Sequence, residues 1–165
     1  MQSKELLKTT LEMSRGMVLQ LIEDMKDAPL TFPTANGGCH PLWVLGNVTL
    51  SEARFVREWI VGESNPLAEW NDIFGSGTEP VADAAEYPPL SEVMAKSHDV
   101  REGTMKLLDS FSEEDLDRTS KAPPQRQAYF GTNRQCFLMT ALHWMMHRGQ
   151  VADARRAAGR KRIGP

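Results

Sequence analysis

Apolar residues recur every three or four positions in four separate segments of this 165-residue chain. The segments cover residues 3–27, 41–61 and 91–111, followed by a stretch of about 25 residues that closes near Gly159. A repeat of this length places apolar side chains on one face of an α-helix. No segment shows the alternation of apolar and polar residues that is typical of a half-buried strand. The chain is therefore predicted to be all-α.

Two connections rich in proline and glycine constrain the topology. The first includes Pro29, Pro33 and Asn36-Gly37-Gly38, and the second runs from 62 to 90. Antiparallel neighbours need only a short loop, whereas the second connection, of roughly 28 residues, can span a bundle about 30 Å tall. We therefore expect a four-helix bundle with a long crossover between helices two and three, which run parallel.

Length and composition fit a single compact domain covering residues 1–165. Hydrophobic residues make up 41% of the chain and charged residues 25%, which is the composition of a globular protein rather than of a disordered one. No apolar run approaches the roughly 18 residues of a membrane span. The sequence thus predicts a soluble protein that is not bound to a membrane.

Charge and cysteine content narrow the partners and the compartment. The formal net charge is −3, although residues 148–165 carry six cations against Asp153 alone. The rest of the chain is acidic and would repel phosphate, which argues against nucleic-acid binding. Cys39 and Cys136 form neither a CxxC pair nor a disulfide framework, so a reducing, cytoplasmic location is predicted.

The last predicted helix carries two histidines, His143 and His147, four positions apart. This spacing puts both imidazoles on one face of a helix, one turn apart, where they can share a metal ion. The alternative is two separate histidines that each need only a hydrogen bond. Trp144 takes the place of the glutamate that follows the first histidine in zincins, so the motif itself contains no general base.

The start of the second helix is the other stretch with chemical interest. Gly46 lies inside a good helix at a cost of about 1 kcal/mol relative to alanine, which indicates the close approach of another helix or a ligand. Asn47 is a polar residue among apolar ones, and its alternative role is a hydrogen bond across the core. His40 lies beside the helix start, and Cys39 next to it is a candidate thiol, whereas Cys136 is predicted to be core.

Three stretches of the sequence resemble the DinB/YfiT-like superfamily of four-helix-bundle proteins. They are Trp43-Val44-Leu45-Gly46, His143-x-x-x-His147-Arg148-Gly149-Gln150, and Ala154-Arg155-Arg156-Ala157-Ala158-Gly159. The resemblance spans essentially the whole chain. It implies a bundle of DinB type that pairs as a homodimer and holds a divalent metal through three histidines. One of these comes from the end of a Trp-x-x-x-His pattern in helix two and the others come from the last helix.

Carried over to this chain, the resemblance assigns His143 and His147 as the last-helix ligands and places Asn47 where the third histidine would stand. A carboxamide oxygen is a weaker donor than an imidazole nitrogen, so affinity for zinc or nickel should fall while harder ions are tolerated relatively better. We expect a divalent metal (zinc, nickel or manganese) bound by these three residues. Gln150 is then placed to hydrogen-bond a ligand, or alternatively to lie free in solvent.

The resemblance also implies an activity, since characterised relatives include thiol-dependent transferases and isomerases that use low-molecular-weight thiols. A site with three or fewer protein ligands leaves positions open for such a thiol and a small-molecule substrate. The first hypothesis is thus a metal-dependent S-transferase or related enzyme, with no catalytic residue assigned. The second is a non-catalytic binding or stress-associated bundle with a degenerate metal site, which the replacement at Asn47 favours.

Overall fold

The computed structural model describes residues 3–28, 30–31 and 38–163, and it confirms the all-α class. The helices are α1 (Ser3–Glu23), α2 (Pro41–Ala53), α3 (Asn71–Phe74), α4 (Leu90–Ser110), α5 (Glu113–Asp117), α6 (Gln127–Phe130) and α7 (Asn133–Ala157). Across these ranges the β pairing is limited to one isolated antiparallel bridge between Thr119 and Thr132. None of the described helices is long and apolar enough to cross a membrane.

The second predicted helix begins at Pro41 and ends before Gly62, but it changes form on the way. Residues Arg54–Val61 continue α2 as a π-helix, and Gly62 then closes the helix with a positive φ of 87°. Left-handed backbone of this kind suits glycine because it has no Cβ. Together, α2 and its π-helical continuation therefore have the predicted length. The second part has the wider turns of a π-helix.

Two predicted helix boundaries differ from the structure. The first helix ends at Glu23 rather than at residue 27, and α4 begins at Leu90, one residue before the predicted segment, with Pro89 as the capping residue. Proline fits this position because the N-cap residue needs no donor of its own within the helix. Of the predicted first loop, Pro29, Pro33 and Asn36-Gly37 lie outside the described residues.

The short helices α3, α5 and α6 add to the four predicted ones. They contain four or five residues each, which is too few for an apolar repeat to appear in the sequence. Local caps explain one of them: the Ser112 side chain accepts from the Asp115 amide while the Asp115 carboxylate accepts from the Ser112 amide. The same reciprocal cap, formed by Thr132 and Gln135, starts α7.

Contacts between helix ends give the directions of the long helices. At the start of both helices, Arg134 of α7 donates to the hydroxyl of Ser3 in α1. Near their ends, Nε of Arg155 in α7 donates at 3.0 Å to Oδ2 of Asp24, which follows α1. The helices α1 and α7 therefore run in the same direction. The Nζ of Lys4 donates to the carbonyl of Phe111 at 2.8 Å, so α1 and α4 run in opposite directions.

On the other side of α7, α2 and its π-helical continuation run antiparallel to it. The ring of Trp43, near the start of α2, meets His147, whereas Phe55, farther along, meets His143. Since α4 is also antiparallel to α7, α2 and α4 run in the same direction, joined by the connection over 62–89.

A buried carboxylate joins the four long helices. Glu52 of α2, only 2% exposed, accepts 2.7 Å hydrogen bonds from Nε and Nη2 of Arg101 on α4. Its Oε2 also accepts from Trp144 Nε1 of α7 at 3.0 Å. The third arm of the guanidinium, Nη1, donates to the carbonyl of Leu11 in α1. Each nitrogen of the Arg101 guanidinium and each carboxylate oxygen of Glu52 thus has a hydrogen-bond partner, which is the condition for a buried ion pair to be tolerated.

The close approach expected at Gly46 is real, and its partner is the Phe74 ring. A Cβ built on Gly46 would overlap three carbon atoms of that ring, which packs fully buried against α2. The glycine therefore lets α3 lie directly on α2, one residue before Asn47.

Alanine substitutions at two helical glycines should have opposite effects. Gly46→Ala should lower the free energy of unfolding by about 1–3 kcal/mol because the Phe74 ring must move. Gly103→Ala, in α4, meets no atom within 4 Å and should raise the free energy by up to about 1 kcal/mol. Urea unfolding of both variants measures this, and equal effects at the two positions would contradict the packing argument.

Candidate metal centre

The two histidines of α7 converge on one point. Nε2 of His143 lies 3.1 Å from Nε2 of His147, and the ring planes are 80° apart. The i, i+4 spacing brings the rings to one face of the helix, and the side-chain torsions then aim the two Nε2 atoms at each other. Both side chains are partly buried.

Gln150 fixes the orientation and the proton of His147. Its Oε1 lies 2.5 Å from Nδ1 of His147, and because an amide oxygen can only accept, Nδ1 carries the proton and donates. Nε2 of His147 then presents its lone pair, which accepts the proton on Nε2 of His143. The predicted hydrogen bond of Gln150 is therefore present, and a single proton occupies the space between the two rings.

Burial keeps both imidazoles neutral. Loss of hydration, with a smaller contribution from the neighbouring His147, lowers the pKa of His143 to about 4. Burial also lowers the pKa of His147, although the hydrogen bond to Gln150 opposes the change. Both rings are therefore neutral near neutral pH, which is the charge state in which an imidazole nitrogen can bind a metal ion.

Aromatic side chains flank the histidine pair on the side of α2 and the π-helix. Trp43 contacts His147 with ring centroids 6.1 Å apart, and Phe55 contacts His143 at 5.9 Å. Phe55 in turn packs on Trp59 and Phe130, which are 5.0 and 4.6 Å away. We call Phe55, Trp59 and Phe130 the aromatic wall. It supplies the apolar surroundings that depress the imidazole pKa values.

Asn47 lies on α2 between Trp43 and Phe55, and so at the height of the histidine pair along α7. Its Nδ2 donates to the carbonyl of Phe74 at 2.7 Å, which is the cross-core hydrogen bond considered from the sequence. No hydrogen bond joins it to either imidazole among the described residues. The amide oxygen, which is the metal-binding atom of this side chain, is not the atom used in that bond.

The donor atoms fit two of the three expected ligand positions. Two nitrogen–metal bonds of about 2.1 Å subtend an angle of about 95° when the nitrogens are 3.1 Å apart, as His143 and His147 are. That angle is acceptable for adjacent ligands. The described residues contain no group of three histidine, cysteine or acidic side chains arranged to hold a metal. A third ligand from the described residues would therefore be of another residue type, and Asn47 is the candidate that the sequence supplies.

The other residues considered from the sequence have structural roles. His40 caps α2: its Nδ1 accepts from the Trp43 amide at 3.1 Å, so Nε2 carries the proton and donates to the Val81 carbonyl at 2.9 Å. Burial raises the pKa of the Cys39 thiol, while a hydrogen bond with Gln150 lowers it. Cys39 is thus near the site but not an activated nucleophile. Cys136 is a buried core residue, as predicted.

Sequence reasoning missed the aromatic wall and the partners of Asn47 and His147 in space. An excess of aromatic residues at 55, 59 and 130 is visible in the sequence, but nothing local says that they meet beside His143. Trp144 bonds Glu52 of α2, whereas His143 contacts Phe55. Adjacent helical residues point about 100° apart, so these two side chains reach different residues of α2 and its π-helical continuation.

Fold and site together describe an all-helical protein whose last long helix presents paired imidazoles to the second. The family model of the DinB superfamily matches residues 10–151, which is most of the chain. The chain belongs to the DinB superfamily. No curated protein matches it. The matched range includes Asn47, His143, His147 and Gln150, so all residues of the candidate site lie within the family region.

Acid should destabilise the metal-free protein through His143. Its pKa rises from about 4 when folded to about 6.5 in the unfolded chain, so between these values the unfolded state binds more protons. Stability is then complete above pH 6.5 and falls as the pH drops towards 4, by on the order of 2–3 kcal/mol. Urea unfolding in chelator between pH 7 and 4.5 measures this slope.

His143→Phe provides the comparison, because it keeps an aromatic ring beside the aromatic wall and removes the titration. Its unfolding free energy should change less with pH than that of the wild type over the same interval. Parallel pH curves for the two proteins would show that His143 does not titrate in this way.

Proposed function

We propose that this DinB-superfamily protein binds a divalent cation between His143 and His147, with Oδ1 of Asn47 as a third, weaker ligand. Zinc, nickel and manganese are the candidate ions. The observation that carries the proposal is the 3.1 Å separation of two Nε2 atoms on imidazoles that burial keeps neutral. The four long helices form the frame, a four-helix bundle of DinB type with the crossover over 62–89.

Neighbouring groups are placed to support these ligands. The Gln150 carbonyl accepts from Nδ1 of His147 and so keeps Nε2 free of a proton for the metal. The Phe74 carbonyl holds the amide nitrogen of Asn47, which leaves the oxygen as the ligand atom. Phe55 of the aromatic wall packs against the His143 ring. Such outer partners fix the orientation of ligands and strengthen their basicity.

The proposed reaction class is transfer to or from a low-molecular-weight thiol, as the resemblance implies. Three protein ligands leave positions open at the site for a small molecule. When bound, a divalent cation supplies Lewis acidity that lowers the pKa of a thiol or water in contact with it. The protein residues position the thiol and its acceptor against the aromatic wall and Trp43. A cytoplasmic location, where such thiols stay reduced, is part of the proposal.

The second candidate is a non-catalytic bundle whose metal site has lapsed. The observation that favours it is the neutral, hydrogen-bonded amide of Asn47 at the position of the third histidine. In that case the histidine pair is satisfied by its shared proton and by Gln150, and the protein acts through its surface alone.

Metal content separates the two functions. Protein purified without chelators, or loaded with zinc, nickel or manganese, should hold about one ion per chain by elemental analysis and calorimetry. His143→Ala and His147→Ala should each weaken binding by about 100-fold or more, since each removes one of two strong ligands. His98→Ala changes an exposed histidine of α4 and should leave binding intact.

Asn47→His gives a complementary gain of function. An imidazole at position 47 can donate one N–H to the Phe74 carbonyl and offer its other nitrogen, so zinc affinity should rise by about tenfold or more. The gain should vanish in the His143→Ala background. In the cobalt-loaded protein, a small thiol should produce thiolate-to-cobalt absorption. Wild-type protein that takes up no ion after loading, and gains none with Asn47→His, supports the second function.

We further propose that the protein pairs as a homodimer through α7. Exposed apolar side chains follow one another at helical spacing on its outer face: Leu138, Leu142, Met145 and Met146, the last of them 69% exposed. On the neighbouring α1, Leu6 and Met13 are also exposed. A run of apolar side chains over two adjacent helices is typical of an interaction surface.

Leu142→Glu should convert a dimer to a monomer, because the charge would be buried in the interface. Sedimentation velocity at micromolar concentration measures the change. Val81→Glu is the control, since Val81 is an exposed apolar residue on the crossover and is not part of α7. An unchanged sedimentation coefficient for Leu142→Glu, or a monomeric wild type, would contradict this interface.

A further inference from the structure

We infer that the protein has a second ligand site, independent of the metal centre: a cleft between α1 and α4 that binds a small, singly charged carboxylate through the Arg15 guanidinium. The cleft has a volume of about 390 Å³ and shares no lining residue with the histidine site. Arg15 and Gly16 form its α1 side, and Arg101 and Met105 lie on the α4 side.

Arg15 is a half-buried cation that lines this cleft. Its Nε is enclosed and has no hydrogen-bond partner, and within the described ranges no hydrogen bond or ion pair reaches any other atom of the guanidinium. The group lies over the Trp144 ring with its Cζ 6.0 Å from the centroid. Burial, and then the nearby charge of Arg101, lower its pKa. The guanidinium therefore keeps donors that no described residue uses and that a ligand in the cleft can engage.

Arg101 does not compete for that ligand. Its Nε and Nη2 bind Glu52 and its Nη1 binds the Leu11 carbonyl, so its hydrogen bonds are committed to the fold. Its charge is balanced by Glu52. Arg15 therefore supplies the free cationic donors of the cleft, and its planar fork suits a carboxylate, which can accept two parallel hydrogen bonds.

Charge at the rim limits how negative the ligand can be. Glu12 and Glu102 also line the cleft, and Glu102 is paired with Lys106. The carboxylate of Glu12 would repel a doubly charged phosphate more strongly than a monocarboxylate. The space above Gly16, where an added Cβ would meet no atom within 4 Å, and the side chain of Met105 leave room for a short apolar chain. A small aliphatic acid fits these features.

Propionate is the probe, titrated into the full-length protein at constant ionic strength while the arginine Nε–H signals are followed by NMR. The Arg15 signal should shift and saturate with a dissociation constant on the order of millimolar, as one charged contact allows. Arg148 is the internal control, because its Nε is also buried without a partner but lies outside the cleft. Its signal should not saturate with the same constant.

Calorimetry on variants completes the test. Arg15→Gln should weaken propionate binding by at least tenfold, and Gly16→Leu should do the same by filling the cleft while keeping Arg15. Arg148→Gln should leave the affinity unchanged, and circular dichroism establishes that each variant is folded. Equal shifts at Arg15 and Arg148, unchanged affinity in Arg15→Gln, or tighter binding of phosphate than of propionate would each overturn the proposal.

Discussion

Glu52 sets the register of the long helices, because a carboxylate that is 2% exposed must have partners on every side. Those partners come from three other helices: the guanidinium of Arg101, the indole of Trp144 and, through Arg101, the carbonyl of Leu11. Sliding any one helix would break a hydrogen bond in a water-free environment, at a cost of about 1–3 kcal/mol or more. The network therefore selects one arrangement among the many that apolar packing alone would permit.

The same register separates two chemically different surfaces of α7. With Trp144 held against Glu52, the adjacent His143 contacts Phe55 and its partner His147 contacts Trp43. The indole meanwhile supports the Arg15 guanidinium on the other side. The histidine pair and the Arg15 guanidinium thus lie beside different neighbours of α7, and both depend on the position of one tryptophan.

Part of the candidate site was predictable, because it is a matter of local spacing. Two residues four apart on a helix lie on one face, so the sequence predicted that His143 and His147 would be neighbours. The contact between Gln150 and His147, three positions apart, is predictable for the same reason. The close approach at Gly46 was also correct, although its partner, Phe74, could not be named. Asn47 was assigned as a ligand by resemblance, and its hydrogen bond to Phe74 depends on a short helix that has no sequence periodicity.

The sequence by itself determined the all-helical class, most boundaries of the long helices and the histidine pair, since each depends on periodicity or caps within a few residues. Only the tertiary structure decided the Glu52 network, the aromatic wall and the position of the Arg15 guanidinium over Trp144. The bond between Glu52 and Trp144 alone joins residues 92 positions apart in the chain. Their partners are chosen by how helices pack and by which buried polar groups need satisfaction, and no local pattern encodes that choice.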